Sequence, residues 1–298
     1  TVDVTDEVRA GAENEIAVRI TDPVGNFNWN DRQVMKWGSH DIPACHGFGG
    51  ITGKVFLRAV DPVYIDDIYV RNMPLIKEVD LNLTVKNLTG SESSGSFTIK
   101  IYPLGKPDEV IWKKRLRRRI DPLESQITFK AKAQKAKPWD IDNPDLYVAD
   151  VVFESDDRTI RDSMTQRFGF RWFDIGEKDG DQRLYLNGRR IVLLGGMSWG
   201  FWPINGVYPT REMAERDISI AKKMGFNYIN FHRAIGQPPV MDAADEMGFL
   251  CYEEPGGYSC ENADKNAVLW RDWRREKLFR MGKRDRSHPS LIIYNLQN

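Results

Sequence analysis

Polar and aromatic residues follow four short apolar runs in the second half of the chain. The runs end near Leu194, Phe231, Tyr252 and Tyr294. The residues after them are, in chain order, Trp199, Phe201 and Trp202; His232 and Arg233; Glu253 and Glu254; and Asn298. Ligands of parallel α/β folds bind at the carboxyl ends of the strands. We therefore expect a functional site here, although any one of these residues alone would also suit a satisfied polar group at the start of a loop.

Glu253 and Glu254 look like a catalytic carboxylate pair, but adjacent residues of a strand point to opposite faces. They therefore do not form a facing acid–base couple, whose carboxyls would lie about 5 to 10 Å apart. Glu254 is the functional candidate, and its neighbour is expected to be structural.

The aromatic loop at Trp199, Phe201 and Trp202 admits two interpretations. Flat aromatic faces stack well on the C–H surface of a sugar ring. The same side chains would also serve as apolar plugs that close one end of a folded core. The sequence favours neither interpretation over the other.

The elements that must position these residues are strands alternating with helices. Strands are predicted at residues 191–194, 226–231, 249–252 and 291–294. Helices are predicted to begin after Thr210, to run from Pro238 to a stop at Gly248, and to span residues 265–286. This alternation predicts a parallel sheet with crossover helices. Four strands and three helices suit an open four-stranded sheet or half of an eight-stranded barrel, which needs about 250 residues in full.

The first half of the chain has the two-residue alternation of β-strands. Strands are predicted at 15–20, 54–60 and 63–70, and a second series at 79–85, 96–102, 110–120, 127–133, 146–153 and 159–173. Short strands at this spacing favour an immunoglobulin-like β-sandwich. The basic run at residues 113–119 is expected to be a charge-protected edge strand.

Composition excludes several classes of partner. The 298 residues carry 43 basic and 43 acidic side chains, so no global charge favours nucleic acid or an anionic membrane. No run approaches the 18 apolar residues of a membrane span. Three cysteines and four histidines show no four-ligand zinc spacing, although Cys45 beside His46 leaves a weak alternative. We expect no metal, no cofactor, no nucleic-acid partner and no membrane partner. The amino terminus shows no signal-peptide pattern, and the compartment stays open.

Several segments together resemble glycoside hydrolase family 2, which includes β-galactosidases, β-glucuronidases and β-mannosidases. The segments are 3–6 and 14–19, 49–57 (GGITGKVFL), 139–147 (WDIDNPDLY), 168–171 (FGFR), 186–188 (LNG), 193–196 (LLGG) and 288–298 (HPSLIIYNLQN). Each is a moderate signal, but their order along the chain strengthens the resemblance.

The resemblance implies three domains. These are the carboxyl-terminal part of a sugar-binding jelly roll at 1–73, an immunoglobulin-like β-sandwich at 74–174, and the first half of a (β/α)8 TIM barrel at 175–298. It also implies retaining hydrolysis of O-glycosidic bonds in β-linked carbohydrates by two Glu residues. The acid/base Glu of the family directly follows the Asn that matches Asn298. We therefore expect an internal fragment of a longer enzyme, with neither catalytic carboxylate inside it and no hydrolytic activity by itself.

Six residues are expected to bind substrate: Asn298, Glu254, His232, Arg233, Trp199 and Trp202. In the family's pattern Asn298 contacts a sugar hydroxyl, Glu254 matches a Glu of the third strand, and His232 matches a second-strand His if one residue is deleted. Gly195 and Gln297 depart from that pattern, which commonly has Arg or Lys and Gly there. The rival functions are a non-catalytic carbohydrate-binding protein and a structural or adhesive sandwich with an unrelated α/β segment. Carbohydrate is the expected partner, and an oligomeric state is left open.

Overall fold

A computed structural model of the protein describes residues 2–19, 35–37, 40–42, 51, 53–198, 208–232, 234–254 and 267–296. Within these ranges, residues 35–37, 40–42, 267–271, 273 and 274 are described by their backbone alone. The chain divides into two units, Thr1–Val55 and Phe56–Asn298. No helix within the described ranges is long and apolar enough to span a bilayer.

The first unit contains one described pair of strands, β1 (Met35–Trp37) and β2 (His40–Ile42), which are antiparallel. The strand predicted at 15–20 is wrong for its described residues 15–19, which have no regular secondary structure and pair with no described strand. Its apolar side chains Ile16 and Val18 are 73% and 60% exposed. An alternating pattern stabilises a strand only where another strand pairs with it and a core covers one face.

A second predicted strand is also wrong. Residues 54–60, predicted as a strand, also lack strand pairing. Phe56 and Leu57 in this segment are exposed. The assignment of residues 1–73 to a jelly roll stays a prediction.

Seven strands of the second unit form a two-sheet β-sandwich. They are β3 (Val63–Asn72), β4 (Glu78–Asn87), β5 (Ser93–Pro103), β6 (Trp112–Ile120), β7 (Leu123–Lys132), β8 (Tyr147–Ser155) and β9 (Arg161–Phe168). All pairings are antiparallel, in the orders β3-β4-β7 and β6-β5-β8-β9. The strands predicted from residue 79 onwards agree with β4 to β9. The boundary predicted at 73/74 separates β3 from β4, whereas the structure pairs these two strands in one sheet.

The sandwich core follows directly from the alternation of buried and partly exposed residues along each strand. In β8 every second residue is buried. Phe97 packs against Phe153 and Phe129, with ring centroids 5.0 and 6.0 Å apart. The basic strand β6 lies at the edge of its sheet, as predicted, and its exposed side chains keep that edge solvated.

A three-stranded meander leads from the sandwich to the α/β part. It consists of β10 (Phe173–Lys178), β11 (Asp181–Leu186) and β12 (Arg189–Ile191). Asn187 and Gly188, both at positive φ, form the two-residue turn between β11 and β12. The Asn187 amide donates a hydrogen bond to the Trp139 carbonyl at 2.8 Å, which ties this turn to the segment between the two sheets of the sandwich.

The remaining elements form a four-stranded parallel sheet with crossover helices. They are β13 (Gly195–Ser198), α1 (Arg211–Lys223), β14 (Tyr228–Phe231), α2 (Pro238–Met247), β15 (Leu250–Glu253), α3 (Ala267–Asp285) and β16 (Leu291–Tyr294). The strand order is β13-β14-β15-β16, and every pairing is parallel. The capping predictions are confirmed: Thr210 Oγ1 accepts from the Met213 N–H, and Gly248 ends α2 at φ 67°.

The first strand of this sheet is not where the sequence predicts it. The predicted strand 191–194 is wrong, because Ile191 closes β12 and residues 192–194 are held outside any ladder. The Asn227 side chain accepts from the Leu194 N–H and donates to the Val192 carbonyl, both at 2.9 Å. β13 starts only at Gly195, whose backbone lies so close to Tyr228 that a Cβ would be 1.9 Å from the Tyr228 carbonyl oxygen. A side chain at position 195, where the family pattern commonly has Arg or Lys, would therefore require the backbone of this chain to shift.

The sandwich and the parallel sheet meet at Trp139. This side chain is fully buried, and its indole N–H donates to the Asp245 carbonyl at 2.8 Å, one of the last carbonyls of α2. Gly169 lies against the same ring, where a Cβ would be 2.8 Å from the Trp139 Cβ. The Arg171 guanidinium donates to the carbonyls of Pro289, at 3.0 Å, and Leu291, at 2.5 Å, beside β16. The two parts of this unit are therefore joined by satisfied polar contacts as well as by apolar packing.

Replacing Trp139 should separate these two contributions. We expect Trp139→Phe to cost about 1–3 kcal/mol, because it leaves a buried carbonyl without its donor, and Trp139→Ala to cost about 3–5 kcal/mol through the added cavity. Urea unfolding measures both. Trp172→Phe is the matched control, since its indole donates to Asp174 at an exposed position; equal losses in the two Trp→Phe variants would contradict this interpretation of the junction.

The neighbouring glycines of β13 provide a second test of the fold. A Cβ on Gly195 would collide with backbone, whereas one on Gly196 would meet nothing within 4 Å. Gly195→Ala should therefore destabilise the protein by about 1–3 kcal/mol or more, while Gly196→Ala should change stability by less than about 1 kcal/mol. The free energy of unfolding should be measured for both variants in parallel. Equal losses in the two variants would refute the placement of β13.

Candidate functional site

The carboxyl edge of the parallel sheet is held together by backbone hydrogen bonds beyond the ladders. The His232 N–H donates to the Ser198 carbonyl at 2.7 Å, which joins the ends of β13 and β14. The Glu254 N–H donates to the Ala234 carbonyl at 3.2 Å. The Asn295 N–H donates to the Glu253 carbonyl at 2.9 Å and links β16 to the same edge. Residues that directly follow three strands are therefore fixed relative to one another.

His232 and Glu254 are brought together at this edge. His232 Nδ1 lies 3.8 Å from Glu254 Oε2, and their side chains are only 13% and 2% exposed. The alternation along β14 and β15 places them on the same face of the sheet as Tyr228 and Tyr252, whose rings are 6.5 Å apart. Burial, together with Tyr252 and Glu254, raises the pKa of Tyr228 to about 12. The His232 and Glu254 side chains are largely removed from water, so a hydrogen bond that either of them makes is stronger than one made in water.

Four of the six predicted substrate-binding residues lie outside the described residues. They are Asn298, Arg233, Trp199 and Trp202. Phe201, Gln297 and Cys45 lie outside them as well. Their roles stay predictions, and the arrangement that the structure brings together consists of His232 and Glu254.

The two adjacent glutamates point in opposite directions, as strand alternation predicts. Glu254 faces His232, whereas the fully buried Glu253 carboxyl accepts from the Gly236 N–H at 2.9 Å and lies 3.5 Å from the Arg284 guanidinium. These two carboxyls therefore do not form a facing acid–base pair.

Two features of this region were missed by sequence reasoning. Asn230, on the same face as His232, has a buried side-chain oxygen with no hydrogen-bond partner among the described residues. Alternation along β14 could have identified Asn230, because it lies two residues before His232. The second feature is the contact between Glu253 and Asp285, which are far apart in the chain. No spacing signal marks that contact.

One cluster has the composition of a metal site but not the free ligands. Ligand atoms of Asp242, Asp245 and His288 lie within 4.8 Å of one another. The Arg167 guanidinium already lies between the two carboxylates and bonds to both. Asp245 also accepts hydrogen bonds from Ser290 and contacts His288 Nδ1 at 2.6 Å. Arg167 occupies the position of a cation, so these residues do not fit a metal ion.

Comparison with known proteins agrees with this architecture. Residues 63–171 match the family described as glycosyl hydrolases family 2. A putative β-glucuronidase of Formosa agariphila is 25% identical over 100% of this chain and 34% of its own length. A β-galactosidase of Thermoanaerobacterium thermosulfurigenes is 28% identical over 86% of this chain and 36% of its own length. The chain thus spans about a third of the length of these relatives.

Solved structures show the same fold. A glycosyl hydrolase family 2 member from Bacteroides cellulosilyticus has a TM-score of 0.65 at 22% identity, over 80% of this chain and 32% of that one. The Parabacteroides merdae β-glucuronidase has a TM-score of 0.61 at 23% identity, over 80% and 30%. The names of the relatives indicate glycosidase activity in the parent family. Residues 63–171 thus match glycosyl hydrolase family 2, and the rest of the chain is similar to members of that family.

Proposed function

We propose that this chain is part of a retaining glycoside hydrolase that acts on β-linked carbohydrates, and that its parallel sheet is the first half of a (β/α)8 barrel. The observation that carries the proposal is the buried contact between His232 and Glu254 at the carboxyl edge of that sheet. Barrel enzymes bind their substrates at this edge.

The arrangement of the helices supports a barrel over an open sheet. The strand order is sequential, without the reversal found in doubly wound sheets. Ile218 of α1 and Val240 of α2 pack on the sheet face that contains Phe231 and Cys251. The opposite face instead carries Tyr228 and Leu250, which pack around Trp139. In half of a barrel, the helices cover one face of the sheet and the other face lines the barrel interior, which apolar side chains close at one end. The arrangement here agrees with both requirements.

The chemistry assigned to the described residues is substrate binding. Glu254 can accept hydrogen bonds from sugar hydroxyls, and His232, held next to it, can offer a ring N–H or a ring acceptor. The retaining mechanism needs one acid that protonates the leaving oxygen and one carboxylate that attacks the anomeric carbon, about 5 Å apart. Glu253 and Glu254 are turned away from each other, so they do not supply this pair. The proposal follows the family resemblance, which implies that both catalytic carboxylates lie outside residues 1–298. By itself, the 298-residue polypeptide is proposed to have no hydrolytic activity.

The substrate class follows from the site and the relatives together. The similar proteins bear the names β-glucuronidase and β-galactosidase, and both kinds of enzyme act on β-linked sugars. Hydrogen-bonding groups such as His232, Glu254 and Tyr252 at this edge suit the hydroxyl groups of a sugar ring. A carbohydrate-binding protein without catalysis is the outcome that the experiment must separate from a glycosidase.

The test uses the protein from the complete open reading frame that contains these residues, assayed on aryl β-glucuronide, β-galactoside and β-mannoside. Glu254→Gln and His232→Ala should each lower kcat/KM about tenfold to a hundredfold, the effect of losing hydrogen bonds to charged or buried groups. NMR of the first-formed sugar should show retention of the β configuration.

The matched control is Glu276→Gln, which removes a carboxylate from the exposed side of α3 and should leave kcat/KM unchanged. Inversion at the anomeric centre would contradict the mechanism. Saturable sugar binding without turnover would establish a carbohydrate-binding protein instead. A sugar affinity that is unchanged in Glu254→Gln and His232→Ala would refute the site.

A further inference from the structure

The Glu253 carboxyl is the buried group that the proposed function does not use. It is fully buried and lies on the helix side of the sheet. Its Oε1 atom accepts from the Gly236 N–H at 2.9 Å, whereas Oε2 has no donor among the described residues. A buried acceptor without a donor is costly, so this oxygen requires an explanation.

The explanation lies in Asp285, the last residue of α3. It is 1% exposed, and the Arg284 guanidinium contacts both its carboxyl and, at 3.5 Å, that of Glu253. Asp285 Oδ1 accepts from the Arg284 Nε–H at 2.7 Å, and Oδ2 lacks a donor among the described residues. Two buried carboxyls in contact, each with one unsatisfied oxygen, are both satisfied if they share one proton. Burial first, and then the Asp285 charge, raise the pKa of Glu253 to about 9.

The contact matters because of the peptide that it holds. Gly236 donates its N–H to Glu253, and its carbonyl accepts from the Arg284 guanidinium. A Cβ on Gly236 would be 2.6 Å from Met241 Sδ and 2.9 Å from Glu253 Oε1, so a side chain here would displace one of these groups. Gly236 ends the connection from β14 to α2, and that connection begins with His232.

We propose that Glu253 is a positioning residue whose carboxyl proton, shared with Asp285, fixes Gly236 and thereby the loop that presents His232 to Glu254. The inference rests on the proposed function for the role of His232 in binding substrate. The proton stays on the pair: Glu253 Oε2 donates to Asp285 Oδ2 while Glu253 Oε1 keeps accepting from Gly236.

The surroundings of the pair oppose a second negative charge. From α3, Arg284 supplies one positive charge, which balances one ionised carboxyl. His288 Nε2 lies 3.8 Å from Asp285 Oδ1, but its Nδ1 is engaged by Asp245. The other titratable groups that interact with these residues are Cys251, Tyr294 and Tyr208. Burial raises the pKa of Cys251 and of Tyr294, so both stay neutral. Neither side chain therefore supplies a positive charge that would balance a second ionised carboxyl.

The direction of the pH effect follows from the raised pKa. The folded protein binds this proton more tightly than the unfolded chain does, whose Glu ionises near 4.5. The stabilisation is therefore complete below that pH and declines as pH rises to about 9, where the folded pair itself ionises. Above that pH the loop should loosen, because two buried negative charges then repel each other.

Hydrogen exchange of the Gly236 region, read by mass spectrometry at neutral pH and above about pH 9, tests the proposal. After correction for the chemical exchange rate, wild type should lose about tenfold or more of its protection at high pH. Glu253→Gln should keep that protection, because its amide donates to Asp285 permanently and its oxygen still accepts from Gly236. The thermal midpoint of this variant should exceed that of wild type by an amount that grows with pH.

Two further variants keep the test decisive. Asp285→Asn supplies the donor from the other side, so it should also abolish the alkaline loss, and it replaces Glu253→Gln if the latter fails to fold. Glu276→Gln, on the exposed side of α3, should show the same alkaline loss of protection as wild type. A proton-sharing role is refuted if Glu253→Gln or Asp285→Asn loses protection at high pH as wild type does.

The enzymatic readout separates this inference from the proposed function. In the complete protein, the alkaline fall of kcat/KM should move to higher pH in Glu253→Gln, a shift that a merely structural role would not produce. Hydrogen exchange needs no substrate, so the inference stands or falls even if no sugar is hydrolysed. Normal hydrolysis with pH-independent exchange of Gly236 in wild type would overturn the inference alone.

Discussion

The second unit of the chain depends on one buried carboxylate, that of Asp245 near the end of α2. It is 1% exposed and is surrounded by donors from two separate parts of the sequence: Arg167 of β9, and the segment that contains His288 and the N–H and Oγ–H of Ser290. A buried carboxylate is costly unless such partners surround it, so each of these segments must be in place for the others to be stable. Burial by itself would lower the pKa of His288, but the Asp245 charge raises it above its ordinary value.

This carboxylate links the sandwich to the functional edge of the sheet through contiguous contacts. His288 lies between Asp245 and Asp285, and Asp285 in turn contacts Glu253 beneath the loop that begins at His232. The sandwich therefore does more than precede the α/β part in the chain. Its strand β9 supplies the cation that holds α2, and α2 packs next to the elements that carry the site.

The sequence predicted those elements whose signals are local. Alternation predicted β4 to β9, and Thr210, Pro238 and Gly248 predicted the ends of the helices, because caps and side-chain periodicity act within a few residues. β13 was misplaced, because its position depends on the close approach of Gly195 to Tyr228, a contact between segments distant in sequence. The strand predicted at 15–20 failed for the same kind of reason, since no alternating pattern reveals whether a partner strand is present.

The candidate site was predictable to a similar extent. Position after a strand identified His232 and Glu254, and alternation alone showed that Glu253 points elsewhere. The resemblance also marked residues 139–147, 168–171 and 186–188, and the structure explains their spacing. Trp139, Gly169 and Asn187 meet at the junction between sandwich and sheet. We therefore interpret these motifs as residues that join the two parts of the unit rather than as residues that bind substrate.

Two adjacent glutamates at the end of one strand show how the fold divides its acidic groups. The backbone turns Glu254 towards His232 on one face of the sheet, and it turns Glu253 towards Asp285 and Arg284 on the helix side. If Glu253 were charged, a second buried negative charge would lie directly behind the edge where Glu254 contacts the imidazole. A carboxyl that keeps its proton avoids that repulsion and still accepts the Gly236 N–H. A neutral acid at this position is therefore compatible with a polar site one residue away, whereas an ionised one would oppose the same arrangement.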